Sequence, residues 1–409
     1  MRLREFIAIN CLIGWSLLSG DMARGAVSGI GQRVFLHVVC DGGIDPSMVF
    51  EWKGGGANSF AVESGSTERT SVSGLRHVSN PSRPAVDAFF DAHGMRVAIL
   101  NGVAADDMGA RALSGPALEI SNSGSSRNWL AAYAEDAGRG RPAPVLVFPG
   151  VSIEGSVADL ALMGRVPSRL LSVPPVPATF PDSVRDRIFR DMRVDFAAQV
   201  AGLRAGGGDA SRAKSQDKQF RMQQVFEAGV PADWASVFDA AQPAFVNESK
   251  LALKMFASGK SLGAIVRAGS TGAWAASSGH FASQSASLQM LYSGLSQILS
   301  YAYSTGLQSR LVIVVSGQHG RTPWLNASSG KDPWPVSSMM FWGNGIRSGV
   351  TGGMDDVGRG LRIDPRFGTT TGDVIRVTFQ NAYSSMLFLA ESNWRKWTSS
   401  LPVSGLLEI

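Results

Sequence analysis

Short runs of β-branched and aliphatic residues alternate along this chain with longer stretches whose apolar residues recur every three or four positions. Residues 33–40 (RVFLHVVC) form a strand of the fully buried type and stop at Asp41-Gly42-Gly43. Further strands are predicted at 95–103 (MRVAILNGV), 143–150 (APVLVFPG), 263–269 (GAIVRAG), 309–317 (SRLVIVVSG) and 337–345 (SSMMFWGNG). Helical spacing marks the end of a helix at 87–94 and helices at 128–138 and 285–306, and 371–391 reads as mostly a closing helix. Residues 54–84 are rich in Gly, Ser, Asn and Pro and read as a long exposed loop. Residues 158–257 change character: helical segments at 181–208, about 213–229 and 231–257 read as a helical insert or cap. Strands alternating with helices predict an α/β fold with a largely parallel sheet. Function in such folds gathers just past the carboxyl ends of the strands.

Composition narrows the partners. The chain has 409 residues, 44% of them hydrophobic, and a net charge of +5. The arginines are scattered, with no basic stripe interleaved with aromatics, so nucleic-acid binding is not inferred. A basic protein still suits an anionic small-molecule ester or an anionic envelope surface. The N-terminus has Arg2 and Arg4, an apolar run from Phe6 to Leu18, then Ala23 and Gly25 placed like a cleavage site. Residues 1–26 are therefore expected to be a signal peptide and 27–409 a single exported domain, periplasmic or extracellular. No other stretch approaches the ~18 uncharged apolar residues of a membrane span. With Cys11 in the export segment, Cys40 alone remains, which excludes a disulfide framework and a Cys-based zinc site.

Two familiar motifs fail on context. Gly259-Lys260-Ser261-Leu262-Gly263 matches G-x-S-x-G, but a helix precedes it and a strand follows, the reverse of a nucleophile elbow. Ser258-Gly259-Lys260-Ser261 resembles the end of a P-loop, yet Lys254 stands where its first Gly belongs. Another set of residues converges. Three strand tips carry Asp41 and Asp45, His280, and then Gln318, His319 and Arg321, with Asp332 beyond. Carboxylates and imidazoles at one sheet edge suit a divalent metal, and an adjacent Arg suits a phosphoryl or sulfuryl group. Each residue also has a plain reading: Asp before Gly-Gly sets a turn, and a lone loop His is often only hydrogen-bonded. His37, inside the first strand, reads as a core residue.

The order of these parts resembles the bacterial exported "domain of unknown function 1501" family, relatives of the alkaline phosphatase and sulfatase superfamily. The resemblance rests on CDGGIDPSMVF (40–50), SGQHGRTPWLN (316–326) and GKDPWPVSSMMFWGNGIRSG (330–349). It implies an alkaline-phosphatase-like three-layer sandwich. It also implies a divalent metal (zinc, manganese or calcium) among Asp41, Asp45, His280, Gln318, His319 and Asp332, with Arg321 on the substrate. Departures accompany it. The family's Asp-Thr-His is replaced by Ala275, Ala276 and Ser277, with His280 displaced by three positions. Its Glu-Phe becomes Gln318-His319, its His after Asp332 is Pro333, and Asp107 is followed by Met108 where relatives often have His. A binuclear site needs about six to eight Asp, Glu or His ligands. No nucleophile is identifiable. The expectation is an exported protein with an eroded metal site and weak or absent ester hydrolysis. The alternatives are an active metal-dependent phosphate or sulfate ester hydrolase, and a non-enzymatic envelope scaffold with a protein partner.

Overall fold

The computed structural model describes residues 32–54, 60–104, 119–122, 125–138, 141, 143–149, 151, 163–166, 237–270, 272–370, 372 and 374–408. The segment 1–26, the helical segments at 181–208 and 213–229, and Asp107-Met108 lie outside them. Eight strands form the central sheet: β1 (Val34–Cys40), β2 (Val97–Ala104), β3 (Val145–Val147), β4 (Met163–Arg165), β5 (Gly263–Arg267), β6 (Leu311–Gly317), β7 (Val336–Gly343) and β8 (Gly349–Gly352). Their spatial order is β8-β2-β7-β6-β1-β5-β3-β4. Only β7 runs against its neighbours; all other pairs are parallel. The fold is thus α/β around a largely parallel sheet.

Parallel strands need both faces covered, which is why β1 and β6 are buried along their whole length. On one face α4 (His280–Ser304) packs against α1 (Pro84–His93) and α3 (Ala244–Ala257). On the other, α2 (Trp129–Ala137) meets α5 (Phe379–Leu389), and Trp129 stacks on Tyr383 with centroids 5.3 Å apart. Alternate residues of β1 serve the two layers, since successive side chains point to opposite faces. Phe35 packs edge-on against Trp129 and Tyr133. His37 is fully buried; Trp129 Nε1 donates to its Nδ1 (3.1 Å), so its Nε2–H faces Ser316 Oγ (2.8 Å). Burial pulls its pKa down to about 3, so it is a neutral core imidazole.

The structure departs from the pattern in several places among the described residues. Residues 54–84 are not all loop: Thr67–Thr70 and Arg76–Ser79 pair as an antiparallel hairpin. Its strands are mostly polar, so alternation gives little signal; Val78 and His77 are buried, and His77 Nε2 pairs with Asp87 Oδ1 of α1 at 2.8 Å. The helix expected from 285 begins at His280, hidden by the Ser-Gly-rich approach to it. The last helix begins only at Phe379, where Thr378 and Asn381 form a capping box. The two ends of the 158–257 segment join the main body: β4 extends the sheet beside β3, and α3 packs on α4.

Candidate functional site: a buried ion cluster at the strand tips

The carboxyl end of β1 turns sharply through Gly42 (φ +107°) and Gly43 (φ +87°). Both positions favour glycine for conformation and for space. A Cβ on Gly42 would lie 2.7 Å from the Ala275 backbone nitrogen, and one on Gly43 only 2.6 Å from His319 Nδ1. The turn delivers Asp45 to the start of a short 3₁₀ turn, Pro46–Met48. Proline at the first position fixes φ for that turn, and the Asp45 carboxylate accepts the free N–H of Ser47 at 3.0 Å.

Asp45 is 1% exposed, and both of its carboxylate oxygens are engaged twice. Oδ1 accepts Ser47 N and Ser47 Oγ (2.7 Å). Oδ2 accepts His280 Nε2 and Lys331 Nζ, each at 2.7 Å. A carboxylate offers roughly four lone-pair sites, and here four donors occupy them. Because the carboxylate only accepts, the His280 proton sits on Nε2. Its Nδ1 is buried without a partner. Burial by itself would raise the Asp45 pKa. Lys331 and then His280 outweigh it and hold the group far below the ordinary carboxylate range.

Three elements hold this cluster. His280 opens α4 behind Gly279, a left-handed N-cap, and its N–H donates to the Ser329 carbonyl at 2.9 Å. Gln284, one turn along the same helix face, accepts from Asp45 N (3.3 Å). Its Nε2 donates to the carbonyls of Gly43 (3.1 Å) and Trp274 (2.9 Å). Lys331 follows Gly330, whose missing side chain lets this loop lie against Ser277; a Cβ there would sit 1.9 Å from the Ser277 carbonyl oxygen. The Lys331 N–H donates to the Ala276 carbonyl (3.0 Å), and its Nζ lies 5.8 Å from the Phe281 ring centroid. Lys331, Gln284 and Ser47 are the members that sequence reading did not single out. An i, i+4 pair of polar residues at the foot of a largely apolar helix was the available signal for Gln284. Asp-Pro-Ser at the turn was the signal for Ser47, and Gly-Lys-Asp carries none.

The other expected site residues sit nearby but do different things. Arg321 is 4% exposed and donates to the backbone carbonyls of Gly42, Trp274 (2.6 Å) and Lys331 (3.2 Å). Burial pulls it down to about 10, against the opposing pull of Asp45 and Asp332. Its guanidinium is a clamp on three loops. His319, 4% exposed, donates Nδ1–H to the Gly320 carbonyl at 2.8 Å. Burial holds its pKa below the ordinary range, with Arg321 adding to that and the Gly320 carbonyl and Asp41 opposing it. Asp41 is half-buried and faces Arg267 of β5, with 3.5 Å between Oδ2 and Nη1. Gln318 is half-buried. Asp332 is exposed and accepts from Asn326 Nδ2 at 3.0 Å.

Of the six expected ligands, Asp45 and His280 touch. Among the described residues no group of three or more His, Cys, Asp or Glu side chains is placed to hold a metal. The donor chemistry gives the reason at Asp45. Its lone pairs are filled, its His280 neighbour presents a proton, and an ammonium stands against it. As arranged, this centre does not fit a divalent ion.

No protein-family model matches the sequence, and no curated protein matches it. Several solved structures are similar to this chain at low identity. One is a protein of the alkaline phosphatase superfamily from Vibrio parahaemolyticus, 9% identical, covering 89% of this chain and 68% of that one, at TM-score 0.41. Another is a proposed sulfatase from Bacteroides thetaiotaomicron, 10% identical, covering 92% and 74%, at TM-score 0.42. A third is a TAB5 alkaline phosphatase variant with magnesium bound, 12% identical, covering 79% and 95%, at TM-score 0.33. They assign no residue role here.

Among the described residues no helix is long and apolar enough to cross a membrane. Near the sheet's carboxyl edge one further acid stands out. Glu248 of α3 is 5% exposed, and burial pushes its carboxyl up to about 8, with Arg267 opposing.

Proposed function

We propose that this chain is an exported member of the alkaline phosphatase and sulfatase superfamily whose strand-tip centre is a structural core. Its role is binding or scaffolding in the envelope, without metal-dependent ester hydrolysis. The observation that carries the reading is the Asp45 carboxylate, which meets four protein donors at 2.7–3.0 Å and has no site left for a metal. The Arg321 clamp supports it, because a guanidinium bound to three carbonyls is not presented to an anionic ester. The sheet topology and the motifs at 40–50 and 316–349 support the superfamily, and the motifs support the "domain of unknown function 1501" relationship. The N-terminal charge and hydrophobicity pattern supports export.

The test joins two measurements on purified mature protein prepared without chelator. Elemental analysis is expected to find no stoichiometric zinc, manganese or calcium, and p-nitrophenyl phosphate and sulfate are expected to remain unhydrolysed. A stoichiometric metal that Asp45→Ala removes, together with turnover, sinks the proposal. Crosslinking in the envelope, with a partner recovered on this surface and neither metal nor turnover, is the supporting outcome.

A second reading has one observation in its favour. The His319 ring is held through Nδ1–H, which leaves Nε2 as the basic nitrogen, and Asp41, itself paired with Arg267, acts on the ring electrostatically. That edge is the place for weak metal-free hydrolysis. Turnover that His319→Ala abolishes and Asp45→Asn spares identifies it.

A further inference from the structure

We infer that Lys331 is a tethered substitute for a divalent cation: its ammonium does at Asp45 and His280 what a bound metal does at a strand-tip centre. The inference rests on the proposed reading of this centre as metal-free and adds the residue responsible.

Four observations converge on it. First, the charge stands where a metal would stand. Lys331 Nζ lies 2.7 Å from Asp45 Oδ2 and 3.4 Å from Ser47 Oγ, and His280 Nε2 meets the same Oδ2 at 2.7 Å. One compact cation therefore faces a carboxylate, with a hydroxyl and an imidazole alongside, a donor set typical of a hard or borderline metal. Second, the cation is internal. Lys331, His280 and Asp45 are 0%, 0% and 1% exposed. A buried ammonium is costly unless it is paired and hydrogen-bonded, so its burial here requires the acid.

Third, the ammonium crosslinks as a metal does. Asp45 on the β1 turn, His280 at the start of α4 and Lys331 in the 322–332 loop are separated by 235 and 286 residues in sequence. They are joined at one carboxylate oxygen. Fourth, the backbone of Lys331 is fixed from both sides, by Ala276 O accepting its N–H and by Arg321 Nη1 donating to its carbonyl. Its side chain is aimed by the fold rather than drawn in from solvent. The unpartnered Nδ1 of His280 completes the picture. Moving the imidazole proton from Nε2 to Nδ1 would free Nε2 to ligate, so a latent ligand remains at the same carboxylate oxygen as the ammonium.

The consequence is a site whose order does not depend on metal supply, and in which the ammonium excludes the ion. The experiment compares native full-length mature protein with Lys331→Glu and Lys331→Ala by thermal unfolding, in chelator and in millimolar zinc or manganese chloride. Glu reaches nearly as far as Lys and sets a second carboxylate beside Asp45 and His280. Ala only removes the ammonium.

Native protein is expected to melt at the same temperature under all conditions. Lys331→Glu is expected to melt well below native in chelator and to regain at least about 4 °C with metal. It should also retain about one equivalent of metal by elemental analysis, and adding Asp45→Asn should abolish both effects. Lys331→Ala is expected to respond in the same direction and more weakly. If Lys331→Glu is unfolded with and without metal, Lys331→Ala decides. Variants that no metal stabilises overturn the inference and leave the metal-free reading intact. Native protein that already binds metal through Asp45 overturns both.

Discussion

Two buried carboxyl groups near the same sheet edge behave in opposite ways. Asp45 meets an ammonium, an imidazole N–H, a hydroxyl and a backbone N–H, and its pKa falls far below the ordinary range. Glu248 is about as deeply buried, burial outweighs the opposing pull of Arg267, and its pKa rises to about 8. Burial penalises the charged form of both. The difference lies in the donors, so burial by itself does not identify a catalytic acid at this edge. Asp45, the residue at the expected metal position, is the one locked in its charged form by protein groups.

The largest effect expected from breaking this contrast is at Asp45. Asp45→Ala leaves the Lys331 ammonium buried and unpaired and removes the cap of the Pro46–Met48 turn. It should lower unfolding stability by about 3–5 kcal/mol in urea titrations. Adding Lys331→Met should restore much of that loss, because the residual cost is the unpaired charge. Arg321→Lys comes next. A single ammonium cannot reach three divergent carbonyls, and a loss of about 2 kcal/mol is expected with no gain or loss of metal.

Glu248→Gln sharpens the comparison through pH. The folded state holds the Glu248 proton more tightly than the unfolded chain does. Native stability should therefore fall as pH rises from the ordinary carboxyl range through about 8, and Glu248→Gln should flatten that slope. At pH 9 the variant should be the more stable by on the order of 2 kcal/mol. Asp45 has the opposite sign. Its contribution is fully present above the ordinary carboxylate pKa and is lost as pH falls below it. The smallest effect is expected at His319: His319→Ala should cost about 1 kcal/mol in urea titrations, through the lost Gly320 hydrogen bond and its packing on Gly43.

Much of the fold was legible in sequence. The runs at 33–40, 263–269 and 309–317 carry enough β-branched and aliphatic residues to announce buried parallel strands, and they lie side by side as β1, β5 and β6. Gly349–Gly352 was not legible, since four half-buried residues with glycine at both ends carry no period. The site was half legible. Asp45 and His280 were singled out and they touch, while Arg321 was singled out for substrate and serves the backbone. Asp332 was grouped with the ligands, yet its neighbour Lys331 is the residue that points inward. Sequence reading favoured the acid because carboxylates are the usual ligands, and one position along an extended segment reverses the direction of a side chain.

The sequence by itself determined the alternation of strands and helices, the turn at Asp41-Gly42-Gly43, and the placing of acids and imidazoles at strand tips. These follow from local rules of period, conformation and turn chemistry. Only the tertiary structure decided what the acids meet. Asp45 and Lys331 are 286 positions apart, and no local spacing links a long flexible ammonium to its carboxylate. The pairing follows from the parallel sheet bringing the tips of β1 and β6 together, and from the 322–332 loop folding back to aim Lys331 inward. That pairing makes the centre a folded ion cluster instead of an open ligand set.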